Sequence, residues 1–87
     1  MSTVKVEEIG DKIEAVVWFK AGRLVPLRFK WRGRTYKVRE VTGDWRSEIG
    51  ATHFHHFAVQ SDSPDVYELS YNEQSYTWKL ENVAISG

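Results

Sequence analysis

Between Val25 and Thr42 two runs of alternating apolar and polar residues flank Gly33-Arg34, and this period of two fixes most of what the chain can become. Val25, Leu27, Phe29 and Trp31 interleave with Arg28, Lys30 and Arg32. Alternation at this period sends the two sets to opposite sides of a strand, so the first set faces a core and the second faces water. A second alternating run, Thr35 to Thr42, follows Gly33-Arg34, and the pair predicts a β-hairpin in which Gly33 supplies the positive φ of a type II′ turn. With that turn, Trp31 faces Tyr36, Phe29 faces Val38 and Leu27 faces Glu40 along a core row. The other face sets Lys30 against Lys37 and Arg28 against Arg39, with Arg32 and Arg34 at the tip.

The rest of the chain reads the same way. Ile13 to Phe19 is rich in β-branched and aromatic residues and runs into Lys20-Ala21-Gly22-Arg23, a tight turn. Pro26 has no N–H to give a ladder, so a bend or bulge is expected near Val25-Pro26. Gly43 to Gly50 reads as a loop around Trp45, with Asp44 to Ile49 able to form one helical turn. His53 to Gln60 is a strand ended by the turn formers Ser61 to Asp65. Tyr67, Leu69 and Tyr71, then Tyr76, Trp78 and Leu80, mark two more strands around a hairpin loop at Asn72 to Ser75, and Val83 to Ile85 either pairs again or frays. The expected fold is all-β: a small curved antiparallel sheet or partly open β-barrel of about six strands. One domain is expected over residues 1–87, with 1–11 flexible or an edge strand.

Twelve aromatic rings, four each of Trp, Tyr and Phe, supply the large buried area that a chain of 87 residues needs. Without cysteine, neither a disulfide nor a thiolate metal site can form, and packing alone must hold the fold. The longest apolar run, Ala15 to Phe19, is too short for a signal-peptide core or a membrane span, so no membrane partner is expected and a cytoplasmic location fits.

Formal net charge is zero, but it is unevenly placed: nine basic residues against two acidic ones lie between Lys20 and Arg46, a local +7 balanced by −7 elsewhere. Like charges directly opposed on a sheet cost a few tenths of a kcal/mol per pair, roughly, so a basic ladder needs an explanation. Either Arg28, Lys30, Arg32, Arg34, Lys37 and Arg39 form a surface for nucleic acid or another polyanion, or neighbouring acids such as Glu14, Glu68, Glu73 or Glu81 neutralise them. A protein partner docking on an exposed Trp18 or Trp45 is the alternative from another class. The pattern specifies no oligomeric state.

His53 and His55 share a strand face and are the weak candidates for a metal pair, with Asp62 or Glu48 as a third ligand, while His56 points the other way. The plainer reading is a set of rim histidines around Phe57, and no metal or cofactor is expected. No nucleophile elbow, phosphate-cradling loop or paired catalytic carboxylates can be read, so the chain is expected to be a non-enzymatic binding or accessory module.

The stretch Pro26-Leu27-Arg28-Phe29-Lys30-Trp31-Arg32-Gly33-Arg34-Thr35-Tyr36-Lys37-Val38, followed by Trp45, Tyr67-Glu68-Leu69 and Trp78-Lys79-Leu80, resembles an uncharacterised small bacterial domain family. Its hallmark is a Trp-Arg-Gly-Arg-x-Tyr hairpin, and the resemblance covers about residues 23 to 82. Such domains occur alone and in proteins related to Y-family translesion polymerases. The resemblance therefore implies an accessory role in DNA repair and carries no catalytic residues with it.

Overall fold

The computed structural model describes residues 4–86. Seven strands form one antiparallel sheet: β1 Val4–Lys20, β2 Arg23–Trp31, β3 Arg34–Lys37, β4 Glu40–Ile49, β5 Thr52–Gln60, β6 Val66–Asn72 and β7 Thr77–Ser86. Their order across the sheet is β3-β2-β1-β7-β6-β5-β4, so the two edge strands are consecutive in the chain. Only Val38 and Arg39 separate them. The Val38 N–H donates to Leu27 O at 2.9 Å and the Arg39 N–H to Gln60 O at 2.9 Å, so these residues tie one end of the sheet to the other. The sheet is strongly curved and open, because β3 and β4 share a corner without pairing along their length.

Bulges produce the curvature, since an extra residue on one strand bends it and increases its twist. Leu27 is the extra residue where Val16 pairs with Arg28 and Val17 with Pro26. Pro26 is fully buried there, in the irregular position its missing N–H requires. Glu81 is skipped by both neighbours of β7: Asp11 and Leu69 pair with Leu80, and Glu8 and Glu68 with Asn82. Thr42 is the extra residue in β4, between Val41 and Gly43.

Curling brings Phe29 of β2 against Phe57, Val59, Tyr67, Leu69, Trp78, Leu80 and Val83 from β5, β6 and β7, and this is the core. Phe29 stacks on Tyr36 at 5.0 Å between ring centroids, and both rings meet Tyr67 across the interior, at 5.4 and 5.3 Å. Each such ring fully buried contributes about 1.5–3 kcal/mol, which is how a sheet with one layer of chain keeps its curl around its own face.

Several expectations are corrected. The hairpin turn is Arg32-Gly33, one residue earlier than expected, with φ of 51° and 77°. Positive φ at both positions is the type I′ pattern, whose twist suits paired strands better than the expected arrangement with Gly first. The register moves by two: Phe29 faces Tyr36, Trp31 faces Arg34, Lys30 faces Thr35 and Arg28 faces Lys37. A shift of two keeps Phe29, Trp31 and Tyr36, and Arg28, Lys30 and Lys37, on their expected faces, but the bulge changes the start of the core row: Leu27 is 38% exposed, Val25 pairs with the outward Trp18, and Pro26 takes the buried position in their place. The second strand is two strands, broken at Val38-Arg39. Gly43 to Gly50, expected to be a loop, lies almost wholly in β4, whose pairing with β5 overrides the turn-forming composition. Gly43 is there because Trp45 lies over it: a Cβ at this position would sit 3.3 Å from the Trp45 ring and from the Ala58 Cβ. Val83 and Ala84 pair with both β1 and β6, and Ile85 with β1.

The stretch 1–11 falls partly outside the described residues. From Val4 it is the first half of β1, paired with β7 from Val4 opposite Ser86 to Ile13 opposite Trp78, with no strand on its other side. The second half, from Glu14, pairs with β2. Among the described residues no helix is long and apolar enough to cross a membrane.

Candidate functional site

The outer face of β1, β2 and β3 is built from the residues that alternate with the core. Ile13, Ala15 and Val17 pack inward, so Lys12, Glu14, Val16 and Trp18 point out. Phe29 and Tyr36 point in, so Arg28, Lys30, Thr35 and Lys37 point out. Strand pairing lines these up as rows across the face: Val16, Arg28, Lys37; then Glu14, Lys30, Thr35. Beyond them Lys12 stands opposite Lys79 of β7. Lys12 and Lys79 join the patch through pairing between β1 and β7, which no local motif announces; the inward Ile13 and Trp78 beside them are the only sequence sign of their direction.

The six basic residues of the hairpin divide into two groups. Arg39 Nε lies 2.6 Å from Asp62 Oδ1, and Arg32 Nε lies 3.7 Å from Asp11 Oδ2 while its guanidinium covers the Trp31 ring at 4.5 Å. Asp11 also accepts a 2.9 Å hydrogen bond from Trp31 Nε1, so this corner is a structural knot. Arg34 covers the Tyr36 ring at 5.0 Å. Arg28, Lys30 and Lys37, together with Lys12 and Lys79, have no carboxylate within 4.0 Å among the described residues. Within the β2–β3 hairpin the directly opposed like-charge pair is Arg28 with Lys37; the expected Lys30–Lys37 and Arg28–Arg39 pairs do not form, because of the shifted register and the break at Val38.

Of the acids expected to neutralise the ladder, Glu14 stands opposite Lys30 in the register without an ion pair. Glu68 and Glu81 are engaged elsewhere, with Asn82 and Ser70. Glu73 Oε2 is buried with no hydrogen-bond partner. Asp11 and Asp62 do the neutralising that occurs, at the tip and at Arg39.

Two exposed tryptophans border different surfaces. Trp18, 51% exposed, stands on the basic face beside the half-exposed Val16, with Lys20 Nζ 4.8 Å above its ring. Trp45 stacks on His56 at 5.2 Å. No ring contact joins Trp18 to Trp45 among the described residues.

The three histidines each meet a carboxylate. His53 Nδ1 is 3.1 Å from Glu48 Oε1, His55 Nε2 contacts Asp44 Oδ1, and His56 Nδ1 is 3.4 Å from Glu68 Oε2 while its Nε2 is 2.7 Å from Ser47 Oγ. Asp62 is held by Arg39. His53 and His55 thus bind separate acids on β4 and do not converge, and among the described residues no group of three or more His, Asp or Glu is placed to hold a metal ion. The Tyr67 phenol is pushed above the usual tyrosine range chiefly by burial, then by Tyr36 and Asp65, with Arg34 and Ser63 opposing.

No curated protein and no solved structure matches the chain. A family described as a domain of unknown function, DUF6504, matches it over residues 3–84, nearly its whole length, and the chain belongs to that family.

Proposed function

We propose that this protein is a non-enzymatic binding module that holds single-stranded nucleic acid on the outer face of β1, β2 and β3. The observation that carries the reading is the set Arg28, Lys30 and Lys37, exposed side by side without acidic partners, with the half-exposed Trp18, one side of its ring under Lys20, on the same face. Cations that track phosphates, combined with an exposed ring on which a base can stack, are the two parts of sequence-tolerant single-strand recognition. Lys12 and Lys79 lengthen the track. The DNA-repair association implied by the Trp31-Arg32-Gly33-Arg34 stretch supports single-stranded DNA as the polyanion. Docking of a protein through exposed aromatics is less well supported, because the Trp45 ring is already stacked on His56 and makes no ring contact with Trp18.

Fluorescence anisotropy with a labelled single-stranded oligonucleotide at low salt tests this. Binding is expected to weaken with added salt at a log–log slope of about −2 to −3, as release of counterions by three or four phosphate contacts requires. Combined Arg28→Ala, Lys30→Ala and Lys37→Ala should abolish it, and Trp18→Ala should weaken it by about 1–3 kcal/mol. Arg39→Ala, at a cation already held by Asp62, should change it little. No binding at high micromolar protein, or binding indifferent to the triple substitution, would overturn the reading.

A further inference from the structure

On the opposite side of the hairpin the sheet has a gap. β3 pairs only with Arg28 to Trp31 of β2, so the stretch Arg23 to Leu27 has no strand on that side. Across from it lies β4, which pairs only with β5. Both strands therefore present free backbone edges to the same space, and that space is a depression of about 370 Å³ lined by Leu24, Val25, Pro26 and Val41 above a floor of Phe57. The gap is stapled at one end, where Val38 N–H donates to Leu27 O, and spanned at the other by Arg23 and Asp44, 3.7 Å apart. Free sheet edges are normally blunted by charge, bulges or cover, and two of them flanking an apolar depression form the arrangement that an added strand completes.

We infer that this seam between β2 and β4 binds an extended segment of a partner protein, with one large apolar side chain in the depression and an acidic residue next to it. The acid is argued from the mouth. Lys20 and Arg23 both stand there, and Asp44, the only carboxylate lining the site among the described residues, is already shared between Arg23 and His55. The mouth is left net positive. A second copy of this chain is a poor occupant: its strands with a free side each carry a paired neighbour on the other, whereas this gap is bounded by chain on both sides. The seam lies on a different surface from the face formed by Arg28, Lys30 and Lys37, and the inference stands independently of nucleic-acid binding.

Selection of a phage-displayed random heptapeptide library on the whole chain is the first test, followed by titration of the selected peptide into labelled protein with amide shifts recorded. The expected consensus is a large apolar residue beside Asp or Glu, with shifts at Leu24, Val25, Val41 and Asp44. Val41→Glu and Arg23→Glu, both at exposed positions, should each weaken the peptide by about tenfold or more. Amide spectra of the free variants establish that both are folded. Combined Arg28→Ala, Lys30→Ala and Lys37→Ala should leave the peptide's affinity unchanged. The inference is overturned if no peptide is enriched, if the consensus is basic, if the shifts fall on the outer face of β1 to β3, or if the edges shift with protein concentration alone.

Discussion

At the scale of single residues, the corner formed by Asp11, Trp31 and Arg32 and the ring of Tyr67 decide the most. The Asp11 carboxylate accepts from the Trp31 indole and faces Arg32, so it fixes the hairpin tip against β1. Asp11→Ala leaves the half-buried indole N–H unpaired and should cost about 1–2 kcal/mol in urea unfolding; Asp11→Asn, which keeps an acceptor, should cost clearly less. Tyr67 has its folded-state titration raised by burial, so the folded protein holds the phenolic proton more tightly than the unfolded chain. Stability linked to this group is therefore complete below pH of about 10 and declines as pH rises above it. Urea unfolding at pH about 9 and about 11 should show a smaller alkaline loss in Tyr67→Phe than in the parent.

Among the elements, the β2–β3 hairpin shows what a pattern of alternation can and cannot specify. The faces of Phe29, Trp31, Tyr36, Arg28, Lys30 and Lys37 were all legible, because period two assigns a side without reference to register. The register itself was not. Gly33 can serve a turn that begins with it or one that ends with it, and the choice falls to the type I′ geometry and the Arg32 contacts with Trp31 and Asp11. Gly33 has φ of 77° and open space around a Cβ. Gly33→Ala should thus cost about 1 kcal/mol of backbone strain in thermal or urea unfolding and no more, with oligonucleotide binding preserved. β4 was misread for a related reason. Gly43, Asp44 and Ser47 favour turns locally, and only pairing with β5 and the close approach of Trp45 to Gly43 give them extended roles.

For the whole molecule, the curvature comes from contacts distant in sequence, and this is why the site was only half visible. The alternating hairpin announced Arg28, Lys30 and Lys37. Nothing local announced Lys12 and Lys79, nor the ion pairs that remove Arg32 and Arg39, because each depends on which strand becomes a neighbour. The seam is further from view, since it exists only where β3 stops short of covering β2. Val38 and Arg39 hold the two ends of the sheet together through one hydrogen bond each, and the prediction at this scale concerns them. Their amides should exchange with solvent only through opening of the sheet's corner, near the slowest in the protein, whereas the outward-facing amides of β4 should exchange quickly. Equal rates at these positions would show that the corner opens independently of the core.

The pairing of Val4 with Ser86 places the two ends of the described chain side by side on antiparallel β1 and β7. A tether pulling on both ends would load the hydrogen bonds between these strands one after another, as a zipper is loaded, rather than all together in shear. Resistance to such a force would be low even though the core is well packed. Neighbouring polypeptide attached at either side would leave from adjacent positions, so the module would hang from its tether like a pendant.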